Sequence, residues 1–129
     1  MTITQAQGLL DLGMFSDALS ALRSLPPELQ EAGAALRIKA RASAALGKWE
    51  AAREAADLIR HGNEVDRQEA AACYQSLAAE HFKHGRNDEA RNFLKRAIAT
   101  RPAQREAILD DLRFGERFLA EFQRPAEVI

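Results

Sequence analysis

Apolar and small side chains recur every three or four residues along nearly the whole chain, and no stretch alternates apolar and polar positions as a half-buried strand does. That period predicts helices, and glycines and prolines mark where they stop. Gly13, Gly47 and Gly85 each end one helical run and precede another, in Leu12-Gly13-Met14-Phe15-Ser16-Asp17-Ala18, Leu46-Gly47-Lys48-Trp49-Glu50-Ala51-Ala52 and His84-Gly85-Arg86-Asn87-Asp88-Glu89-Ala90. In each, an alanine lies five residues after the glycine. Phe15 and Trp49 stand two residues after the first two glycines, and Asn87, a residue suited to capping a helix, stands after the third. Glycine past a helix end adopts the left-handed conformation without a Cβ penalty, so each segment reads as helix, tight turn, helix.

Seven helices are predicted, over Ile3–Leu12, Ser16–Ser24, Glu28–Leu46, Trp49–His61, Arg67–His84, Asp88–Thr100 and Ala103–Phe114, with a short eighth over Glu116–Phe122. Pro26-Pro27 ends the second and starts the third, and Pro102 opens the seventh, because proline fits the first helical turn. Gly62 supplies a stop, and Asp66-Arg67-Gln68-Glu69 reads as a capping box for the fifth. The glycines are 34 and then 38 residues apart, a period that signals stacked helix–turn–helix repeats. The additional residues of the second interval fall around Asn63 to Arg67, where an insertion between repeats costs little. Alanine strengthens this picture. There are 26 in 129 residues, about a fifth of the chain. Small side chains suit closely packed helices, and alanine is the best helix former.

The third unit carries a specific likeness. Tyr74, Leu77 and Ala78 on its first helix, Ala90, Leu94 and Ala97 on its second, and the closing Pro102 match in type the pattern of a tetratricopeptide repeat, with His81 in place of an aromatic. In the middle unit Leu36, Ala40, Ala52, Ala56 and Ile59 fit, while Lys39, Ser43 and Glu64 depart from the pattern. In the first, Ala6, Leu9, Ala18, Leu22 and Leu25 fit, while Thr2, Gln5 and Gln30 do not. The chain thus resembles the tetratricopeptide-repeat family. The resemblance implies one all-α domain over residues 1–129, a solenoid of three repeats at about 2–30, 33–65 and 71–104 with a C-terminal cap over 103–122. Repeats of this kind bury each apolar stripe against the neighbouring unit.

The resemblance also implies a function, a non-catalytic adaptor, co-chaperone or assembly factor that holds a peptide in a concave groove. Carried across position by position, the groove would be lined by Gln7, Leu10 and Asp11 from the first unit, Arg37, Arg41, Ala44 and Ala45 from the second, and Gln75, Ala79, Phe82 and Lys83 from the third. Arg37 and Arg41 lie one turn apart and would either offer paired guanidinium forks to a carboxylate or stay solvated and pair with Asp11 or other acids of the chain. A second candidate is the tail. Phe114, Phe118 and Phe122 recur every four residues and form, with Leu119, an apolar stripe. Either the stripe seals the last repeat, with Ile108 and Leu112, or it is a sticky face through which the chain assembles with itself as a structural homodimer.

Other chemistry finds little support. The formal net charge of -1 argues against a dedicated nucleic-acid binder. Residues 66–104 hold seven Lys/Arg against five Asp/Glu, but Arg91, Lys95 and Arg96 read as a solvated helix face paired with Asp88 and Glu89. Cys73 sits in an alanine-rich stretch and reads as a small buried thiol, not a nucleophile. His81 and His84, with His61, Cys73 and Glu80, make no familiar metal spacing. No cofactor, metal or catalytic site is expected. No apolar run approaches the roughly 20 residues of a membrane span, and no secretory signal is expected, because a basic stretch followed by an apolar one is missing from the first residues. A cytoplasmic protein is the expectation.

Overall fold

The computed structural model describes residues 1–123, so the domain expected over 1–129 runs past the described residues. The fold is all-α, with no strand among the described residues. The helices are α1 Ile3–Asp11, α2 Phe15–Arg23, α3 Pro27–Gln30, α4 Gly33–Ala45, α5 Trp49–Ile59, α6 Glu64–Lys83, α7 Asn87–Thr100, α8 Gln104–Leu109 and α9 Glu116–Leu119, followed by a 3₁₀ turn at Ala120–Phe122.

The three glycine turns share one geometry. Gly13, Gly47 and Gly85 have φ of 75°, 73° and 75°. The residue after each glycine bonds back across the turn, Met14 N–H to Leu9 O at 2.9 Å, Lys48 N–H to Ser43 O at 2.8 Å and Arg86 N–H to His81 O at 2.9 Å. The glycine N–H closes a shorter loop to Leu10, Ala44 or Phe82. These paired bonds are the Schellman arrangement, which satisfies the orphan carbonyls of the ending helix. The three hairpins α1–α2, α4–α5 and α6–α7 therefore turn in the same way.

Three expectations change at the boundaries. The single helix expected over Glu28–Leu46 is two. Ala32 is extended (φ -66°, ψ 147°), and the Gln30 side-chain amide donates to Leu25 O at 2.7 Å, holding α3 against the end of α2. The break lets α4 start beside α6, where a Cβ on Gly33 would lie 3.2 Å from the Asp66 carboxylate. Next, α6 begins at Glu64, one turn before Arg67. Its cap is Asn63, whose side chain accepts from Asp66 N–H at 2.8 Å while the Asp66 carboxylate accepts from Asn63 N–H at 3.3 Å. The box is therefore Asn63 with Asp66, not Asp66 with Glu69. Finally, α8 stops at Leu109, short of Phe114. Asp111 accepts from Arg113 N–H at 2.9 Å and folds the loop into a turn. Leu112, expected to help seal the last helices, is 98% exposed on that loop.

Packing follows chain order: α1 on α2, α2 on α4, α4 on α5, α5 on α6, α6 on α7, with α1, α4 and α6 side by side and α8 against α6 and α7. Helix α4 has three faces. Ala35, Ile38 and Ala42 close a first core with Ala6, Leu10, Ala18 and Leu22. Ala40, with Leu36 and Ala44 beside it, joins a second core built on Tyr74, Leu77, Leu94 and Ile108. Its third face carries Arg37 and Arg41.

Two glycine substitutions test these backbone assignments in opposite directions. Gly47→Ala puts a Cβ on a left-handed residue and lowers unfolding free energy by about 1–2 kcal/mol. Gly8→Ala, inside α1 with nothing within 4 Å of the added Cβ, raises it by about 0.5–1 kcal/mol. Urea denaturation of both variants checks the pair.

Candidate functional site

One surface of the α1–α4–α6 row is hollow. A depression of about 350 Å³ lies between α4 and α6, floored by Ala40, Ala44, Ala45 and Ala72 and walled by Trp49, Ser76, Arg41 and Arg113. Toward α1 it shares Arg41 and Glu69 with a smaller hollow that reaches Gln7, Leu10 and Val65. Toward the end of α6 it shares Trp49, Ser76 and Arg113 with a third that reaches Ala79, Glu80 and Lys83. The three make one groove across the row.

Of the residues expected there, the structure brings together Gln7, Leu10, Arg37, Arg41, Ala44, Ala45, Ala79 and Lys83. Gln7 donates to Asp11 at 2.8 Å, and Asp11 is not among the wall residues. Gln75 and Phe82 do not reach the groove. Residues 72, 76, 79 and 83 of α6 follow one helical stripe, while 75 and 82 sit about a quarter turn away, on the side where the C-terminal segment packs. Buried Gln75 donates to Asp111 Oδ2 at 2.9 Å and accepts from Gln104 Nε2 at 2.6 Å. Phe82 packs against Phe114 and Phe118, with ring centroids 5.6 and 4.8 Å away. Sequence reasoning missed Trp49, Glu69, Ala72, Ser76 and Arg113. The stripe through Ala79 and Lys83 leads back to Ala72 and Ser76, a signal present in the sequence. Arg113 comes from a loop, and no periodicity points to it.

The two arginines are not free forks. Arg37 Nη1 bonds the Asp66 carboxylate, and Arg41 bonds Glu69 through Nε at 3.1 Å and Nη2 at 3.4 Å. Both acids lie on α6, so these pairs also tie α4 to α6. Arg113 holds Asp111 through Nη2 at 2.7 Å and Nε at 3.1 Å. Burial alone would raise the Asp111 carboxyl, but hydrogen bonds from Arg113 and Gln75 outweigh it and hold the group below its ordinary value.

The phenylalanine stripe packs inward. Phe114, Phe118, Leu119 and Phe122 are all buried in the chain's own second core. Phe118 stacks on Phe114 and tilts against Phe122, both with centroids 5.8 Å apart. The extended residue Gly115 separates Phe114 from α9, and a Cβ added there would lie 3.5 Å from the Phe82 ring. The basic residues of α7 also separate. Arg91 pairs with Asp88 at 2.7 Å and with Glu121 at 2.5 Å, whereas Arg96 lies over the Tyr74 and Phe93 rings at 5.4 and 5.2 Å. Tyr74 donates to Asp57 at 2.6 Å. His81 stacks on Phe93 at 5.4 Å and its Nδ1 accepts from Arg86 at 2.8 Å, while His84 meets Glu80 at 2.9 Å. Cys73 is buried, 3.5 Å from Ala52 O, and burial followed by the charges of Glu69 and Asp57 pushes its thiol up to about 12.

Compared with protein-family models, with curated proteins and with solved structures, the chain matches none.

Two outcomes follow from these environments. Because the folded Asp111 carboxyl is held below its unfolded value, it adds stability above the unfolded pKa and loses it as pH falls through the folded one. Asp111→Asn therefore flattens the acid side of the stability profile in urea melts, with the loss at neutral pH on the order of 1 kcal/mol. Cys73 reacts with a thiol reagent at pH 8 only on global unfolding, so its labelling rate tracks urea concentration; fast labelling of the native protein contradicts the burial described.

Proposed function

We propose that this chain is a non-catalytic protein-interaction module, a stack of three helical repeats of the tetratricopeptide type that holds a peptide segment of a protein partner in the groove across α1, α4 and α6. The observation that carries this reading is the groove itself. It is a chain of three hollows that share lining residues across the row, the central one lined by alanines together with Trp49, Arg41 and Arg113. Alanine keeps the floor low, Trp49 supplies apolar area with little conformational entropy to lose, and arginine supplies directed donors; aromatic residues and arginine are the types enriched where proteins bind one another. The repeated turn geometry of the three hairpins supports the repeat reading.

The apolar contact comes from Trp49 and the alanine floor; Phe82 packs against the C-terminal segment, and Leu10, at the edge of the groove, is buried in the first core. The buried thiol of Cys73 supports a binding role over a nucleophilic one. No helix of the described residues is long and apolar enough to cross a membrane, which fits the proposal of a cytoplasmic adaptor.

Capture from a native lysate tests the reading, with wild-type chain and Ala72→Trp as parallel baits. Ala72 is exposed on the groove floor of α6, so the indole fills the groove without entering a core. A partner held by the wild type and lost by the variant, with unchanged circular dichroism, supports groove binding. Identical partners on both baits sink it.

A further inference from the structure

We propose that the groove selects segments in which acidic side chains flank a bulky apolar one, an inference that rests on the groove reading above. Three ion pairs follow the groove, and all three are built the same way round. The arginine is the exposed member and the carboxylate the covered one: Arg37 over Asp66 at 28% and 12% side-chain exposure, Arg41 over Glu69 at 59% and 17%, Arg113 over Asp111 at 51% and 9%. A ligand lying in the groove therefore meets four cations, Arg37, Arg41, Arg113 and Lys83, against two lining carboxylates, Glu69 and Glu80, while Asp66 and Asp111 stay off the lining and act as struts. The chain's near-neutral total charge conceals this layering.

The pairing does not exhaust the arginines. Arg41 and Arg113 both grip their acids through Nε and Nη2. Nη1 of each has no protein acceptor among the described residues, and a guanidinium carries five N–H donors. Both groups line the central hollow. Lys83, at the end of the groove, makes no ion pair among the described residues. Held by their struts, the two arginines lose less freedom on binding than free side chains would.

The spacing of the cations decides the kind of acid. Arg37 and Arg41 stand on α4, Arg113 on the loop after α8 and Lys83 at the last turn of α6. They are strung along the groove and do not converge on one point, which suits several side-chain carboxylates along a segment more than a single chain terminus. Between them lies the hollow of about 350 Å³ beside Trp49, with room for one large apolar side chain.

Trp49 is the chain's only tryptophan, so its fluorescence reports on this hollow in the unmodified protein. The probes are three short peptides blocked at both ends, each with a central leucine flanked by glutamates, by glutamines or by lysines. The glutamate peptide is expected to shift Trp49 emission and bind about tenfold tighter than the glutamine peptide, with the advantage shrinking as salt is added. The lysine peptide binds weakest. Arg41→Gln with Arg113→Gln brings the ratio of the glutamate to the glutamine peptide's affinity toward one; a ratio that stays near ten in a variant of unchanged circular dichroism overturns the role given to these arginines. Equal binding of all three peptides overturns the selectivity and leaves the groove reading standing. Failure of every peptide to move Trp49 emission or to bind by calorimetry overturns both.

Discussion

Methyl-sized side chains set how closely these helices lie, and the rest of the architecture depends on that closeness. Ala6, Ala18, Ala40, Ala52, Ala56, Ala70, Ala71, Ala78, Ala90 and Ala97 are completely buried, distributed over every major helix. An alanine buries little apolar area, so the stabilisation comes from the number of backbone and methyl contacts that close approach permits. Among the largest fully buried side chains are Ile38 in the first core and Tyr74, Leu94 and Ile108 in the second. The same smallness shapes the groove, whose floor is the exposed continuation of the alanine seam between α4 and α6.

That seam has a polar lock at one end. Asp66 bonds the Asn63 backbone at the start of α6 and the Arg37 side chain on α4. It fits only because two glycines make space. A Cβ on Gly62 would lie 2.2 Å from its carboxylate, and one on Gly33 would crowd it. Helix start, helix break and ion pair are therefore a single arrangement. At the other end, the buried set of Gln75, Gln104 and Asp111 ties α6 to α8 and to the following loop. Each buried polar group there has a partner, which is the condition for such a network to specify one packing.

The phenylalanines complete the second core from outside the three hairpins. Phe82 of α6 meets Phe114 and Phe118, and Arg91 crosses from α7 to Glu121 while its guanidinium lies over the Phe118 ring at 5.6 Å. The segment after α8 is thus a seal on α6 and α7. By occupying the Gln75 and Phe82 side of α6, it leaves Ala72 and Ser76 on the side that lines the groove. Arg113 reaches back from the sealing loop to that side, so the seal also finishes the groove wall.

Much of this was legible in the chain. The helical period, the three glycine stops and the alanine content determined an all-α chain of hairpins, because these are local properties: 3.6-residue spacing, a left-handed residue that only glycine adopts freely, and backbone propensity. The candidate positions Leu10, Arg37, Arg41, Ala44, Ala79 and Lys83 came from the resemblance to the tetratricopeptide repeat, carried across position by position. What only the tertiary structure decided involves residues distant in sequence. The break at Ala32 answers to Asp66, the loss of Gln75 and Phe82 from the groove answers to α8 and α9, and the partners of Arg37, Arg41 and Arg113 are acids whose choice no spacing specifies. A helix has several faces of similar polarity, and α6 is apolar on most of them. Which face is covered is set by the neighbours that pack there, and that information lies in the assembled fold.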